Sequence, residues 1–233
     1  MNILITGGSR GIGKELVLLF AANNNKVVVF SRNKQKMKAL QQECVEKYNN
    51  QIVSVATDFL SQNLEEELQT IFKELNITFN VVINNAGYLM NQPFTQTHAN
   101  DIEKLFKVNF TAPYLICKNI TNKYAAANCH IVNISSMGGV QGSVKFPGLS
   151  VYGATKAALA NLTECLAQEL KETTIHINCL ALGSAQTEML QEAFPEYQSK
   201  VTAQQMAQFI HQFSITGYNL FNGKIIPVSI TTP

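Results

Sequence analysis

Short apolar runs alternate along the chain with longer stretches of helical spacing. Asn2–Thr6 is a short apolar run that opens into Gly7-Gly8-Ser9-Arg10-Gly11-Ile12-Gly13, and Ile12, Leu16, Leu19 and Phe20 then recur at the spacing of a helix face. The same alternation continues with an apolar run at residues 27–30, then a helical pattern through Met37, Leu40, Cys44 and Tyr48. A third run at 52–56 precedes a helix lined by Leu64, Leu68, Ile71, Phe72 and Leu75, and a fourth run occupies 81–84. Three strand–helix units and a fourth strand predict a parallel sheet covered by helices on both faces. Glu65, Glu66 and Glu67 fall in a first helical turn, where they complement the helix dipole and need no further role.

The second half keeps the pattern. A helix from about Ala99 carries Ile102, Leu105 and Phe106 and then meets Asn109 and Pro113. A fifth strand at 131–134 ends in Ser135-Ser136 and leads into the glycine-rich stretch 137–148. The next helix holds Tyr152 and Lys156, with Leu159, Leu162, Leu166 and Leu170 as its expected buried face. A sixth strand at 175–180 runs into Leu182-Gly183-Ser184-Ala185-Gln186-Thr187. A helix with Met206, Phe209, Ile210 and Phe213 and a last strand at 224–228 complete the chain. With no repeat, low-complexity tract or linker, the expectation is an α/β fold in one domain over residues 1–233.

Composition narrows the class of molecule. A formal net charge of +2 over 233 residues gives no electrostatic footprint for nucleic acid or an anionic membrane surface. The five cysteines are odd in number and never approach CxxC spacing, which argues for reduced thiols rather than a disulfide framework or a zinc site. The four histidines are scattered without ligand spacing, so no metal is expected. No leader is read ahead of the first strand and no apolar run is long enough to span a bilayer, so a cytoplasmic location is expected.

Four features carry chemistry. A glycine turn between a strand and a helix offers backbone N–H groups and a helix N-terminus to a phosphate, and lets it approach closely. The second strand ends in uncharged Ser31 followed by Arg32, where many NAD-binding domains place a carboxylate for the ribose 2′-hydroxyl. Arg10 and Arg32 therefore either bracket a 2′-phosphate or simply face solvent. Tyr152 and Lys156 lie one helical turn apart, and a nearby ammonium is expected to lower the phenol pKa and make it a usable acid or base. Pro113 lacks the N–H that would bond the carbonyl of Asn109, leaving that oxygen open to a water or marking an ordinary kink.

Thr6-Gly7-Gly8-Ser9-Arg10-Gly11-Ile12-Gly13, Asn84-Asn85-Ala86-Gly87, Asn109, Ser136 and Tyr152-x3-Lys156 occur together in order. The set resembles the classical short-chain dehydrogenase/reductase family, from Asn2 through the last strand. The resemblance implies a doubly wound, Rossmann-like parallel sheet and an Asn-Ser-Tyr-Lys catalytic tetrad. In it Tyr152 exchanges a proton with the substrate oxygen, and Ser136 hydrogen-bonds that oxygen. Lys156 lowers the tyrosine pKa and binds the nicotinamide ribose, while Asn109 holds a relay water through its main-chain carbonyl. Gly7, Ser9, Gly11, Ile12 and Gly13 would cradle the cofactor phosphates; Asp58 would contact the adenine. Asn85, Ala86 and Gly87 would line the cleft. Ser31, Arg10 and Arg32 match the members that prefer NADP, with NAD as the other cofactor. Gly183 and Thr187 would lie over the nicotinamide, Thr187 on its carboxamide.

Three departures from the family pattern stand out. Leu182 replaces a usual proline, the segment between Thr187 and Met206 is short, and the Ser136-to-Tyr152 interval is slightly long. The resemblance implies NADPH-dependent interconversion of a small ketone or aldehyde with an alcohol, in a homodimer or homotetramer built on helices 99–124 and 151–171. A non-catalytic NADP(H) sensor on the same fold is the alternative. A sugar-nucleotide epimerase or dehydratase is disfavoured by chain length and glycine spacing. Phe146, Leu149, Met189 and Phe194 are open between pocket wall, core and subunit interface.

Overall fold

The strands and helices alternate as the apolar pattern demands. In order they are β1 (Asn2–Thr6), α1 (Gly11–Ala22), β2 (Lys26–Ser31), α2 (Lys34–Tyr48), β3 (Val53–Ala56), α3 (Leu64–Leu75) and β4 (Phe79–Asn84). Then come α4 (Ala99–Phe106), α5 (Ala112–Asn119), β5 (Ala125–Ser136), α6 (Ser150–Glu169), β6 (His176–Leu182), α7 (Glu188–Ala193), α8 (Ala203–Thr216) and β7 (Ile225–Val228). The structure, a computed structural model, describes residues 1–230.

The seven strands form one sheet in the order β3-β2-β1-β4-β5-β6-β7, every neighbouring pair parallel. This is the doubly wound, Rossmann-like fold. Alternate residues of each strand feed opposite cores. Ile3, Ile5, Val27, Val29 and Ile83 pack with Leu16 and Phe20 of α1, Leu40 of α2 and Ile210 of α8. Leu4, Val28, Phe30 and Val82 pack on the other face with Leu68 and Phe72 of α3 and Ile116 of α5. Burial on both faces explains why the strands read as unbroken apolar runs. Each such side chain contributes on the order of 1.5–3 kcal/mol.

β1 and β4 are neighbours although two strands, β2 and β3, separate them in sequence, so the winding reverses between them. The glycine turn follows β1 and Asn85-Ala86-Gly87 follows β4. Both therefore lie at the carboxyl end of the sheet, in the crevice where such sheets take ligands.

Several boundaries differ from the pattern. β5 begins earlier than residue 131: Phe79 pairs with Ala125, the register then slips, and Val81 meets His130. Asn128 sits in that slip with φ 57, a left-handed conformation that asparagine tolerates. β6 runs on to Leu182, which pairs with Ser136 on one side and Val228 on the other. Leu182 is buried in the core, so the leucine in the usual proline position extends the strand rather than loosening the loop.

The expected buried face of α6 is corrected. Thr155, Lys156, Leu159, Ala160, Thr163 and Ala167 are buried, while Leu162, Leu166 and Leu170 are only half-buried along its flank. The inward face is rotated because two polar side chains, Lys156 and Thr163, have buried partners on β5: the Ile134 carbonyl and Asn133. A hydrophobic count alone cannot see that.

Candidate active site

The glycine turn is held against the start of the next motif. Asn85 donates from Nδ2 to the carbonyl of Thr6 at 2.9 Å, and the Ala86 N–H donates to Thr6 Oγ1 at 2.9 Å. A Cβ on Gly13 would sit 2.3 Å from the Gly7 carbonyl oxygen and 2.5 Å from Asn85 Nδ2, so only glycine fits. Gly11 has φ 53 and brings its Cα close to Thr187, whose methyl would lie 3.3 Å from an added Cβ. Gly7, Gly11, Gly13, Asn85, Ala86 and Thr187 are thus brought together, with Ile12 packed on the core.

At α1 no side chain accepts from the first-turn N–H groups, and the first turn holds no acidic residue. The partial positive charge of that terminus is left for an external anion. The turn thus fits the pyrophosphate of a dinucleotide.

Around the adenosine side, Ser31 is buried and donates to Ser9 Oγ at 2.8 Å, with no carboxylate at the tip of β2. Arg32 is exposed. Asp58 is also exposed, and its Oδ1 accepts from the Leu60 N–H at 3.1 Å in a turn after β3. Arg10 does not stand open beside Arg32. Its guanidinium forms a two-pronged ion pair with Glu192 of α7, Nη1 to Oε1 and Nη2 to Oε2 at 3.0 Å. Lys36, at the start of α2, adds a further positive influence on Glu192. The sequence reading missed both Lys36 and Glu192. The i,i+4 spacing of Glu188 and Glu192 after Thr187 was the available signal.

Ser136, Tyr152, Lys156 and Asn109 come from β5, α6 and the helix after β4. Ser136 ends β5, and its Oγ accepts from the Gly138 N–H at 3.2 Å. Ser135 donates to the Lys156 carbonyl at 2.8 Å, pinning α6 to the strand. Tyr152 is half-buried, and burial pushes its phenol up to about 12, against the smaller opposing effect of the Ser136 hydrogen bond. Lys156 Nζ lies 5.8 Å from the Tyr152 ring centroid and donates to the Ile134 carbonyl at 2.8 Å. Burial pulls this ammonium down to about 8. Burial is the largest influence on the phenol in this structure. Both groups share a poorly solvated site, and desolvation disfavours the charged form of each.

Asn109 is fully buried, and its side chain is a structural clasp that the sequence did not reveal. Oδ1 accepts from the Tyr88 N–H at 2.7 Å; Nδ2 donates to the Tyr88 carbonyl at 2.9 Å and to Thr155 Oγ1 at 3.0 Å. The clasp ties the loop after Gly87 to α6 beside Lys156. Its backbone lies in a widened π turn, Lys107–Thr111, where the Ala112 N–H reaches back to the Lys107 carbonyl. Pro113, next in α5, has no N–H for the Asn109 carbonyl, and the helix accommodates this by widening rather than breaking.

Over these elements lies α7. Thr187 Oγ1 caps it, accepting from the Leu190 N–H at 3.2 Å, and Asn91 Nδ2 donates to the Ala193 carbonyl at 3.1 Å. An open cavity of about 570 Å³ is lined by Gln186, Thr187, Glu188, Gln191 and Glu192. None of the four tetrad residues lines it. Gly183 is bonded through its N–H to the Val228 carbonyl at 2.9 Å. Phe146 stands 61 % exposed and is therefore not core; Leu149, Met189 and Phe194 are half-buried. All five cysteines are unpaired, no three His, Cys, Asp or Glu side chains converge on a metal-sized site among the described residues, and no described helix is long and apolar enough to cross a membrane.

A family model described as short chain dehydrogenase matches residues 1–198. The 3-oxoacyl-[acyl-carrier-protein] reductase FabG of Aquifex aeolicus is 31% identical over 205 residues, 86% of this chain and 80% of the relative. A short chain dehydrogenase of Burkholderia cenocepacia in complex with NADP superposes with TM-score 0.84 at 22% identity, covering 97% of this chain and 95% of the other. A 4-hydroxyisoleucine dehydrogenase complexed with NADH gives TM-score 0.85 at 21% identity, over 98% and 96%. At those identities the two structures speak for the fold alone. The motif order, the reversal between β1 and β4 and the match over most of the chain make this protein an oxidoreductase of the short-chain dehydrogenase/reductase family.

Proposed function

We propose that the protein is an NADP(H)-dependent oxidoreductase that interconverts a small ketone or aldehyde with the corresponding alcohol. The observation that carries this reading is the convergence of the Tyr152 phenol, the Ser136 hydroxyl and the buried Lys156 ammonium at the carboxyl end of β5. A neutral phenol is a proton donor at physiological pH, which suits the direction of carbonyl reduction. The FabG relative, named as a 3-oxoacyl reductase, supports the same direction.

In reduction Ser136 hydrogen-bonds the carbonyl oxygen and Tyr152 gives it a proton, while the carbonyl carbon takes a hydride. A bound nicotinamide cofactor supplies that hydride. The tyrosine oxygen becomes negative as its proton leaves, and the Lys156 ammonium stabilises the developing charge. The Asn109 carbonyl, in its widened turn, holds a water that returns the proton. The cradle for the cofactor is Gly7, Ser9, Gly11, Ile12 and Gly13, with Asp58 at the adenine and Asn85, Ala86 and Gly87 along the cleft. Lys156 binds the nicotinamide ribose, and Gly183 and Thr187 flank the nicotinamide. Ser31 without a carboxylate, with Arg10 and Arg32 near the turn, supports NADP over NAD.

The protein acts as a homo-oligomer. Phe106, Phe110 and Tyr114 form an aromatic row along α4–α5, and Tyr114 and Ile102 are exposed. Unpaired thiols support a reducing, cytoplasmic setting.

The test is consumption of NADPH, followed at the nicotinamide absorbance, against a panel of small ketones and aldehydes. The reading requires turnover with at least one carbonyl and a higher kcat/KM for NADPH than for NADH. Tight NADPH binding without turnover across the panel would favour the sensor alternative.

A further inference from the structure

The pairing of Arg10 with Glu192 joins the glycine turn to α7. Arg10 is the N-cap residue of α1, and its guanidinium fork is filled by both carboxylate oxygens of Glu192. Glu188, one turn earlier on α7, places Oε2 3.5 Å from where a Cβ of Gly11 would lie. Two carboxylates of one short helix thus face the start of α1, where no side chain caps the N–H groups.

α7 itself is lightly held. It buries none of its six residues. Its ties to the rest of the molecule include the Thr187 contact with Gly11, the bond from Asn91 to the Ala193 carbonyl, short local bonds from Gln186 to Gln191 and from Gln191 to the Pro195 carbonyl, and the Arg10–Glu192 pair. Among the described residues only the last is an ion pair, and both partners are accessible, their side chains 34% and 61% exposed.

A guanidinium fork matches carboxylate and phosphate equally well, and one fork serves one bidentate partner at a time. We propose that Glu192 is a cofactor-discriminating residue, whose carboxylate occupies Arg10 until a ribose 2′-phosphate displaces it. This rests on the reading that the site takes NADP(H). The phosphorylated nucleotide gains Arg10 only by exchange with Glu192, and the exchange releases α7 near its C-terminal end. A nucleotide without the 2′-phosphate leaves the pair closed. Glu192 therefore holds the preference for NADP below what Arg10 alone would give, and couples the identity of the cofactor to the freedom of α7.

The experiment uses two nucleotide fragments, 2′,5′-ADP and 5′-AMP, titrated calorimetrically into the wild type, Glu192→Gln, Arg10→Ala and the double variant. Glu192→Gln is expected to bind 2′,5′-ADP about fivefold more tightly, the factor that matches the upper range of an exposed ion pair. Its affinity for 5′-AMP should stay within about twofold, and in the Arg10→Ala background the substitution should change neither. Hydrogen exchange supplies a second readout: 2′,5′-ADP should speed exchange of the α7 amides in the wild type, and 5′-AMP should not. An equal gain for both fragments, no gain, a gain that persists without Arg10, or α7 exchange that does not rise with 2′,5′-ADP overturns the proposal. If the wild type binds 2′,5′-ADP no better than 5′-AMP, the NADP reading fails and the exchange with it. If the wild type discriminates but Glu192→Gln is silent, the exchange alone fails.

Discussion

The Lys156 ammonium donates to the main-chain carbonyl of Ile134 at 2.8 Å, and no carboxylate forms a salt bridge with it among the described residues. A buried charge held by one neutral acceptor costs stability, which is why its pKa falls to about 8 from an unfolded value of about 10.4. Between those two values the unfolded chain binds more protons than the folded one, so stability rises with pH there. Below pH 8 the penalty is fully present, about 3 kcal/mol; above about 10.4 it is gone. Urea unfolding at pH 7 and pH 9.5 should show the wild type gaining about 2 kcal/mol relative to Lys156→Met. Parallel pH dependences in the two proteins would mean that Lys156 is not held in a desolvated site.

Asn109 offers a test of structure rather than chemistry. Asn109→Ala removes one acceptor and two donated bonds and leaves the part-buried N–H and carbonyl of Tyr88 and the buried Thr155 hydroxyl to find new partners. Each unsatisfied group costs about 1–3 kcal/mol. For a chain of this size a total of about 3 kcal/mol lowers Tm by roughly 6–12 °C. Thr155→Val, which removes only one of the three partners, should cost markedly less. A thermal melt of the two variants settles the order.

Gly13→Ala tests the cradle. The added methyl meets the Gly7 carbonyl, a backbone atom that cannot swing aside. A loss of about 1–3 kcal/mol in stability is expected from the overpacking, together with loss of dinucleotide binding by calorimetry. An alanine variant that binds NADPH as the wild type does would mean that the turn is not the phosphate site.

Arg32 addresses the cofactor separately from Arg10, because it is exposed and forms no salt bridge among the described residues. A charge-assisted contact to phosphate corresponds to about 10-fold or more in affinity. Arg32→Ala should weaken NADPH by about that factor and leave NADH within about twofold. Ser31→Asp should shift the preference further toward NADH by adding repulsion toward a 2′-phosphate.

The sheet, its parallel sense and its crevice were legible because both faces are buried, and that burial writes apolar runs at 3–5, 27–30 and 81–83. The motif residues were legible because a glycine turn and a Tyr–Lys pair are local in sequence. What stayed hidden was long-range. Leu162 and Leu166 looked like core because leucine at helical spacing usually is, yet α6 turns Lys156 and Thr163 inward to meet partners more than twenty residues away. Asn109 could be read for its carbonyl from Pro113 nearby, but not for a side chain whose partners are Tyr88 and Thr155. The pairing of Arg10 with Glu192 spans 182 residues, and the spacing of Glu188 and Glu192 marks one helix face without naming its partner.

The central claim is that Tyr152 is the proton donor. Tyr152→Phe keeps the ring and removes one hydroxyl, so fold and cofactor affinity should remain while the acid is lost. With a carbonyl that the wild type reduces, kcat for NADPH oxidation by Tyr152→Phe should fall about 10²- to 10⁴-fold, with the NADPH Kd unchanged within about twofold. A variant that keeps most of its kcat while binding NADPH normally would contradict the account.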